Sequence, residues 1–332
     1  MMPNMENETT TEQYLLEVDN LKKYFFMGKK SLFSKEEQVV KALDGVSFKL
    51  KRGETLGIVG ESGCGKSTMG RAILRLHEPT SGEIQFEGNN LMKLNNKSLR
   101  KKRKDLQIIF QDPYGSLNQR MTVGAMLAEI VNTHKLVPKK EVDNYVYRVL
   151  EEVGLKKEHY YRFPHEFSGG QRQRVGIARA LCVDPKLIVC DEAVSALDVS
   201  VQSQILNLLQ RLKRERGLTY LFISHDLSVV KHISNRIAVM YLGKIVEMAD
   251  NKELFKDPKH PYTKALLSAV PIVGQTGKEG RVILKGDIPS AYAIPTGCRF
   301  HTRCPIATDK CKVEEPQLLE TSDGHFSACH YS

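Results

Sequence analysis

The sequence predicts an α/β fold with a Rossmann-like parallel core, and three observations carry that expectation. A Gly-rich segment, Gly60-Glu-Ser-Gly-Cys-Gly-Lys-Ser67, follows the short apolar run 55–59, as a buried parallel strand feeding a phosphate loop and then a helix would require. Three more short apolar runs, 106–110, 187–190 and 220–223, each end in polar residues, the place where open α/β sheets hold ligands. Between Gln111 and Phe167 the pattern turns helical, through Met126, Leu127, Ile130 and Val131 and again through Val142, Tyr145, Val146 and Val149.

Taken in order, 15–21 and 46–50 read as strands of an edge β-layer, separated by a polar, Lys-rich loop from Met27 to Gln38. The core strands and phosphate loop come next, and the helical segment, about 112–167, reads as a subdomain inserted before Ser168. After His225 a short strand at 237–240 enters a hairpin turning at Gly243, and helix signals run to about Val270. From Pro271 the chain is rich in Gly, Pro and Cys and poor in periodic apolar patterning, so two units are expected, 1–270 and 271–332. No internal repeat is visible.

With 332 residues the chain can bury a full core. No run approaches the roughly eighteen apolar residues of a spanning helix, and Met1 to Glu12 is polar and acidic, which leads to the expectation of a cytoplasmic protein. A net charge of +10 suits a surface facing anionic headgroups or nucleic acid, and equally one of scattered lysine. The densest basic run, Lys97 to Lys104, has no interleaved aromatic platform, so it reads as a solvated helix face and no nucleic-acid partner is expected.

The chemistry concentrates in a few segments. In Gly60, Glu61, Ser62, Gly63, Cys64 and Gly65 the glycines let backbone N–H groups turn inward around phosphate oxygens, and the helix that opens at Lys66, Ser67 and Thr68 presents its positive end to them. Lys66 is expected to reach the β- and γ-phosphates and Ser67 to give its hydroxyl to Mg²⁺. In Lys186-Leu-Ile-Val-Cys-Asp191-Glu192 an apolar strand ends in two acids: Asp191 to hold Mg²⁺, directly or through water, and Glu192 to orient or deprotonate the attacking water. Ser168, Gly169, Gly170 and Gln171 open a helix running through Ile177 and Leu181, so they form a second anion cradle.

With this Ser-Gly-Gly-Gln segment between the phosphate loop and the acidic strand end, the chain resembles the nucleotide-binding subunits of ATP-binding cassette (ABC) transporters. The resemblance implies a P-loop NTPase cassette with a RecA-like core, an antiparallel β edge layer and a helical subdomain, using ATP and Mg²⁺. It implies that Ser168 to Gln171 clamp the γ-phosphate bound by an opposite subunit, so that dimerisation is obligatory. The segment Ser195 to Asp198 would cross to the partner cassette. Gln111 would sense Mg²⁺ and water, and His225 would bond the γ-phosphate and hold the transition state with Glu192. Adenine would stack on an aromatic near the first strand, Phe25 in preference to Tyr24. Phe167 stands where leucine is commoner in such proteins, a departure that leaves the phosphate contact unaffected.

Three stretches, Phe163 to Arg174, Asp191 to Ser200 and His260-Pro-Tyr-Thr-Lys-Ala-Leu-Leu, resemble one branch, the ATPases of oligopeptide and dipeptide importers. Nickel and other solute importers share these features. The branch implies a peripheral place at the cytoplasmic membrane face and four partners: a second, related but non-identical ATPase, two transmembrane permeases and an extracytoplasmic peptide-binding protein. The rival class, a soluble ABC ATPase of repair or translation, is opposed by the single cassette and the lack of a long coiled-coil or zinc-hook insertion.

Of the seven cysteines, Cys298, Cys304, Cys311 and Cys329 crowd into the tail. A disulfide framework fits a cytoplasmic protein poorly, and the spacing lacks the tight pairs of structural zinc sites. Four thiolates are the complement of an iron–sulfur cluster, and some peptide-importer ATPases are similar in carrying a [4Fe–4S] centre here. Zinc and unligated thiols remain alternatives, with His301, His325 and His330 as substitute ligands. Cys64 reads as a thiol open to alkylation, and Cys182 and Cys190 as small buried hydrophobes.

Overall fold

The computed structural model describes residues 14–29, 37–269, 284 and 286–332. In chain order the first half holds β1 (Tyr14–Lys29), β2 (Glu37–Lys51), β3 (Thr55–Val59), α1 (Lys66–Ile73), β4 (Ser81–Phe86), β5 (Asn89–Asn90), α2 (Asn96–Lys102), β6 (Leu106–Ile109), α3 (Val123–Thr133) and α4 (Val142–Glu152). The second half adds α5 (Gly169–Leu181), β7 (Leu187–Asp191), α6 (Val199–Arg216), β8 (Thr219–Ile223), α7 (Leu227–Ile233), β9 (Arg236–Tyr241), β10 (Lys244–Asp250), α8 (Asn251–Lys256) and α9 (Pro261–Ser268). The tail contributes α10 (Asp309–Val313), β11 (Leu319–Ser322) and β12 (His325–Ser327).

Two sheets follow from these elements. The edge layer is antiparallel, in the order β2-β1-β4-β5. The larger sheet runs β11-β12-β10-β9-β3-β8-β7-β6, and its segment from β9 to β6 is parallel. Strands β3, β7 and β8 are buried along their whole length, which explains why they read as unbroken apolar runs rather than alternating ones. Side chains on the two faces of this sheet join separate cores. One packs β3 and β7 against the edge layer through Leu56, Ile58, Leu187 and Val189; the other packs Ile188, Cys190 and Tyr220 against α5 and α6.

The expected strands and the helical segment are present, with β1 and β2 longer than the apolar runs that announced them. Part of the expected loop at 27–38 lies outside the described residues, as do Val270 and the residues beside the expected boundary. The basic run forms α2 and its C-terminal turn, with Leu99 buried and Lys97, Arg100 and Lys101 exposed. Regular structure in the tail is a departure from expectation: β12 pairs antiparallel with β10, so the Cys-bearing segment extends the main sheet. Three strands are too short to carry a periodic signal: β11, β12 and the two-residue β5. Strand β4 alternates Ile84 and Phe86 inward with polar residues outward, a pattern of only two apolar positions.

Candidate ATP site and the docked tail

The phosphate loop leaves the buried end of β3 and closes onto α1. Gly65 is the left-handed N-cap of that helix, at φ 107°, and a Cβ there would stand 2.2 Å from the Ala42 carbonyl oxygen. At Gly60 a Cβ would meet the Met240 carbonyl at the same distance, so backbone alone fits at both ends of the loop. Lys66 is 4% exposed, and its Nζ donates to the carbonyls of Gly60 at 2.7 Å and Glu61 at 3.0 Å. An ammonium held by two loop carbonyls is a charge placed for an anion.

A cavity of about 380 Å³ opens over this loop. Ser62, Gly63, Gly65, Lys66, Ser67 and Thr68 line it from one side, Gln111 and Glu192 from another, and Phe25 with Val40, Lys41 and Ala42 from the edge layer. Phe25 packs edge-on against His77, with ring centroids 5.8 Å apart, and Lys23 Nζ lies 4.7 Å from its ring centre. The neighbouring Tyr24 instead gives its hydroxyl to Asp44; burial and that bond push its pKa up to about 12.

Asp191 ends β7 with its side chain 2% exposed. Its Oδ2 accepts from Arg71 Nη2 at 3.4 Å, while Oδ1 is buried without a protein partner. A buried carboxylate oxygen with no donor is costly in an apolar setting and fits a bound cation or its water. Beside it Glu192 takes a left-handed backbone, φ 50°. Its Oε2 accepts from Gln111 Nε2 at 3.0 Å and lies 3.3 Å from His225 Nδ1. Three residues chosen from three separate strand ends therefore meet at one oxygen.

Ser168 caps α5 in a reciprocal box: its hydroxyl accepts from Gln171 N–H at 3.4 Å and its own N–H donates to Gln171 Oε1 at 3.0 Å. Ser168 and Gly169 are exposed, Gly170 and Gln171 half-buried, and none lines the cavity over the phosphate loop. Asp198 caps α6, accepting from Val201 N–H at 2.9 Å and Ser200 Oγ at 2.7 Å, which holds its carboxyl below the usual range. Cys64 is 4% exposed, and burial pushes its thiol up, against the expectation of easy alkylation. Burial likewise raises Cys182, to about 12, and Cys190.

The tail docks beside the site, with Ala291 and Ile294 lining its cavity. Phe300 is 1% exposed and packs between Tyr241, Tyr262 and His260, with centroids 5.3, 5.3 and 5.6 Å away. Among the described residues no group of three or more His, Cys, Asp or Glu is arranged as a metal site. The substitute ligands are engaged elsewhere: His325 Nε2 pairs with the buried Glu247 at 2.7 Å, His301 Nδ1 contacts the Cys298 carbonyl at 2.8 Å, and His330 Nε2 the Glu314 carbonyl at 3.0 Å. One of the sulfurs accepts a backbone N–H bond, Cys329 Sγ from Tyr331 at 3.4 Å. Burial, with the other three cysteines adding to it, raises Cys298 to about 11.

Comparison with known proteins matches residues 43–195 to the ABC transporter family and residues 246–311 to the oligopeptide/dipeptide transporter C-terminal region. An oligopeptide transport ATP-binding protein of Bacillus subtilis, AppF, is 53% identical over 96% of this chain and 98% of its own length. A dipeptide transport ATP-binding protein of Haemophilus influenzae, DppF, is 49% identical over 98% of this chain and 99% of its own. The chain belongs to the oligopeptide/dipeptide branch of ABC transporter ATP-binding proteins. Among solved structures, cbiO1 of Clostridium perfringens, part of an ABC transporter complex, covers 74% of this chain and 92% of its own at TM-score 0.63 and 29% identity. A dimeric ATP-binding cassette in a post-hydrolysis state bound to ADP and Pi covers 71% of this chain and 98% of its own at TM-score 0.62 and 29% identity. The chain is thus an ABC ATPase, using ATP and Mg²⁺. Among the described residues no helix is long and apolar enough to cross a membrane.

Sequence reasoning missed several residues around this site. Val40 to Ala42, Leu242 and Gly243 line the cavity, and none of them belongs to a phosphate-binding motif. Ala291 and Ile294 reach it from the tail. Of these, Gly243 was visible only as a hairpin turn, and Tyr262, whose hydroxyl meets the loop at Glu61, only as part of the His260-Pro-Tyr stretch.

Proposed function

We propose that this chain powers an importer of oligopeptides or dipeptides from the cytoplasmic face of the membrane. The observation that carries this is identity near one half over almost the entire chain to peptide transport ATP-binding proteins, tail included. In this reading Lys66, the loop amides and Thr68 hold the triphosphate, Ser67, Gln111 and Asp191 hold Mg²⁺, and Phe25 stacks on adenine. Glu192 takes the proton of the attacking water or orients it, with Gln111 and His225 fixing its carboxylate. Mg²⁺ bound there offsets charge on the phosphate oxygens. Because Ser168 to Gln171 lie apart from the cavity on their own chain, they serve the phosphate of a second, related cassette, and Asp198 lies at that contact.

Two permeases and an extracytoplasmic peptide-binding protein complete the assembly. The four thiols Cys298, Cys304, Cys311 and Cys329 hold a [4Fe–4S] cluster, a reading supported by the four-thiol donor set and by the Tyr331 N–H that bonds Cys329 Sγ. Such a cluster would tie the tail to the cassette rather than carry electrons. Gentle purification from native membranes, followed by mass spectrometry, tests the assembly. Two multi-spanning permeases and a sibling ATPase are expected; ribosomal or repair partners without permeases would refute it.

A further inference from the structure

One residue of the phosphate loop is held from three sides. Lys66 Nζ donates to the Glu61 carbonyl at 3.0 Å, the buried Tyr262 hydroxyl accepts its N–H at 2.9 Å, and Arg303 forks its carboxylate, Nη1 to Oε2 at 2.7 Å and Nη2 to Oε1 at 3.0 Å. Arg303 has a side chain 7% exposed and lies 5.9 Å from the centre of the Tyr241 ring. Four residues earlier, Arg299 donates to the Leu242 carbonyl and to Asp44. The turn it braces reaches the far end of the same loop, where Gly243 N–H bonds the Cys64 carbonyl at 2.9 Å. Two arginines of the tail therefore secure the loop at residues 61 and 64.

The electrostatic consequence is specific. Glu61 places a carboxylate, 24% exposed, on the loop read as receiving a triphosphate, where an unpaired like charge would weaken binding. The fork neutralises that charge with a bidentate, poorly hydrated partner, which Lys could replace only in part. We propose that Arg303 is a positioning residue of the ATP site, which holds Glu61 neutralised and the phosphate loop in the conformation that Lys66 requires. This rests on the reading of residues 60–68 as the nucleotide site.

The test is nucleotide affinity of the full chain, by titration with a fluorescent ATP analogue, together with KM and kcat in the assembled transporter. Arg303→Gln is expected to raise Kd and KM about tenfold while kcat changes little, and Arg303→Lys to give a smaller rise. Adding Glu61→Gln to Arg303→Gln removes the exposed charge and is expected to recover much of the affinity. A lowered melting temperature with unchanged Kd and KM would reduce the fork to tail docking and overturn the inference; if Arg303→Gln does not fold, Arg303→Lys with unchanged Kd does the same. Lys66→Ala separates the two readings: loss of binding in that variant upholds the nucleotide site, whereas unchanged binding would remove the site itself.

Discussion

Replacing Glu192 by Gln keeps the shape of the side chain and removes its charge and its basicity. Glu192 Oε2 receives Gln111 Nε2 at 3.0 Å and His225 Nδ1 at 3.3 Å, and an amide can still offer its oxygen to Gln111. The structural cost is therefore about that of one hydrogen bond, roughly 0.5–1.5 kcal/mol. Losing a positioned general base costs far more, roughly 10²–10⁴ in rate or about 3–5 kcal/mol of barrier. Turnover should thus collapse while the fold and nucleotide binding persist. Phosphate release by the assembled transporter, measured beside melting temperature and retained ATP, checks this. Hydrolysis at the parent rate would refute the assignment of Glu192, and a collapse of both binding and melting temperature would show that the residue is structural.

Other outcomes follow from the same geometry. His260 is 1% exposed, its Nδ1 accepts Tyr262 N–H at 3.1 Å, and burial depresses its pKa to about 3. The unfolded chain takes up that proton near pH 6.5 and the folded chain does not, so this contribution is complete above about 6.5 and falls by up to ~1.4 kcal/mol per pH unit below it. His260→Asn keeps a capping oxygen and should flatten the slope of unfolding free energy between about pH 6 and 5 by one proton; equal slopes would count against it. Phe300→Ala should cost about 3–5 kcal/mol in urea unfolding and release the tail to protease, and a loss under about 1 kcal/mol would contradict its packing. Anaerobically purified protein should carry about four iron and four sulfide, lost in Cys304→Ser, whereas zinc or no metal would dismiss the cluster.

The cassette was legible because its chemistry is local. Gly60 to Ser67 and Asp191-Glu192 each place their functional groups within a few residues of one buried strand end, so spacing and residue type suffice. Strand β4 escaped because it offers two apolar residues, and Gly82 is there for close approach to Asn20 rather than for pattern. The fork from Arg303 to Glu61 joins residues 242 positions apart, and an arginine in a polar tail has no signature before the tail is docked. For His325 the difficulty was the reverse: a histidine in the Cys-bearing tail offered itself as a substitute ligand, whereas β12 places it against Glu247 inside the sheet.

Peptide uptake into proteoliposomes that hold the complete transporter decides whether this chain powers peptide import. Labelled peptide should accumulate only when ATP is supplied on the side of this chain and should fail to accumulate with Lys66→Ala. Uptake that persists in that variant, or ATP turnover that proceeds without moving any peptide, would mean that this chain does not drive peptide import.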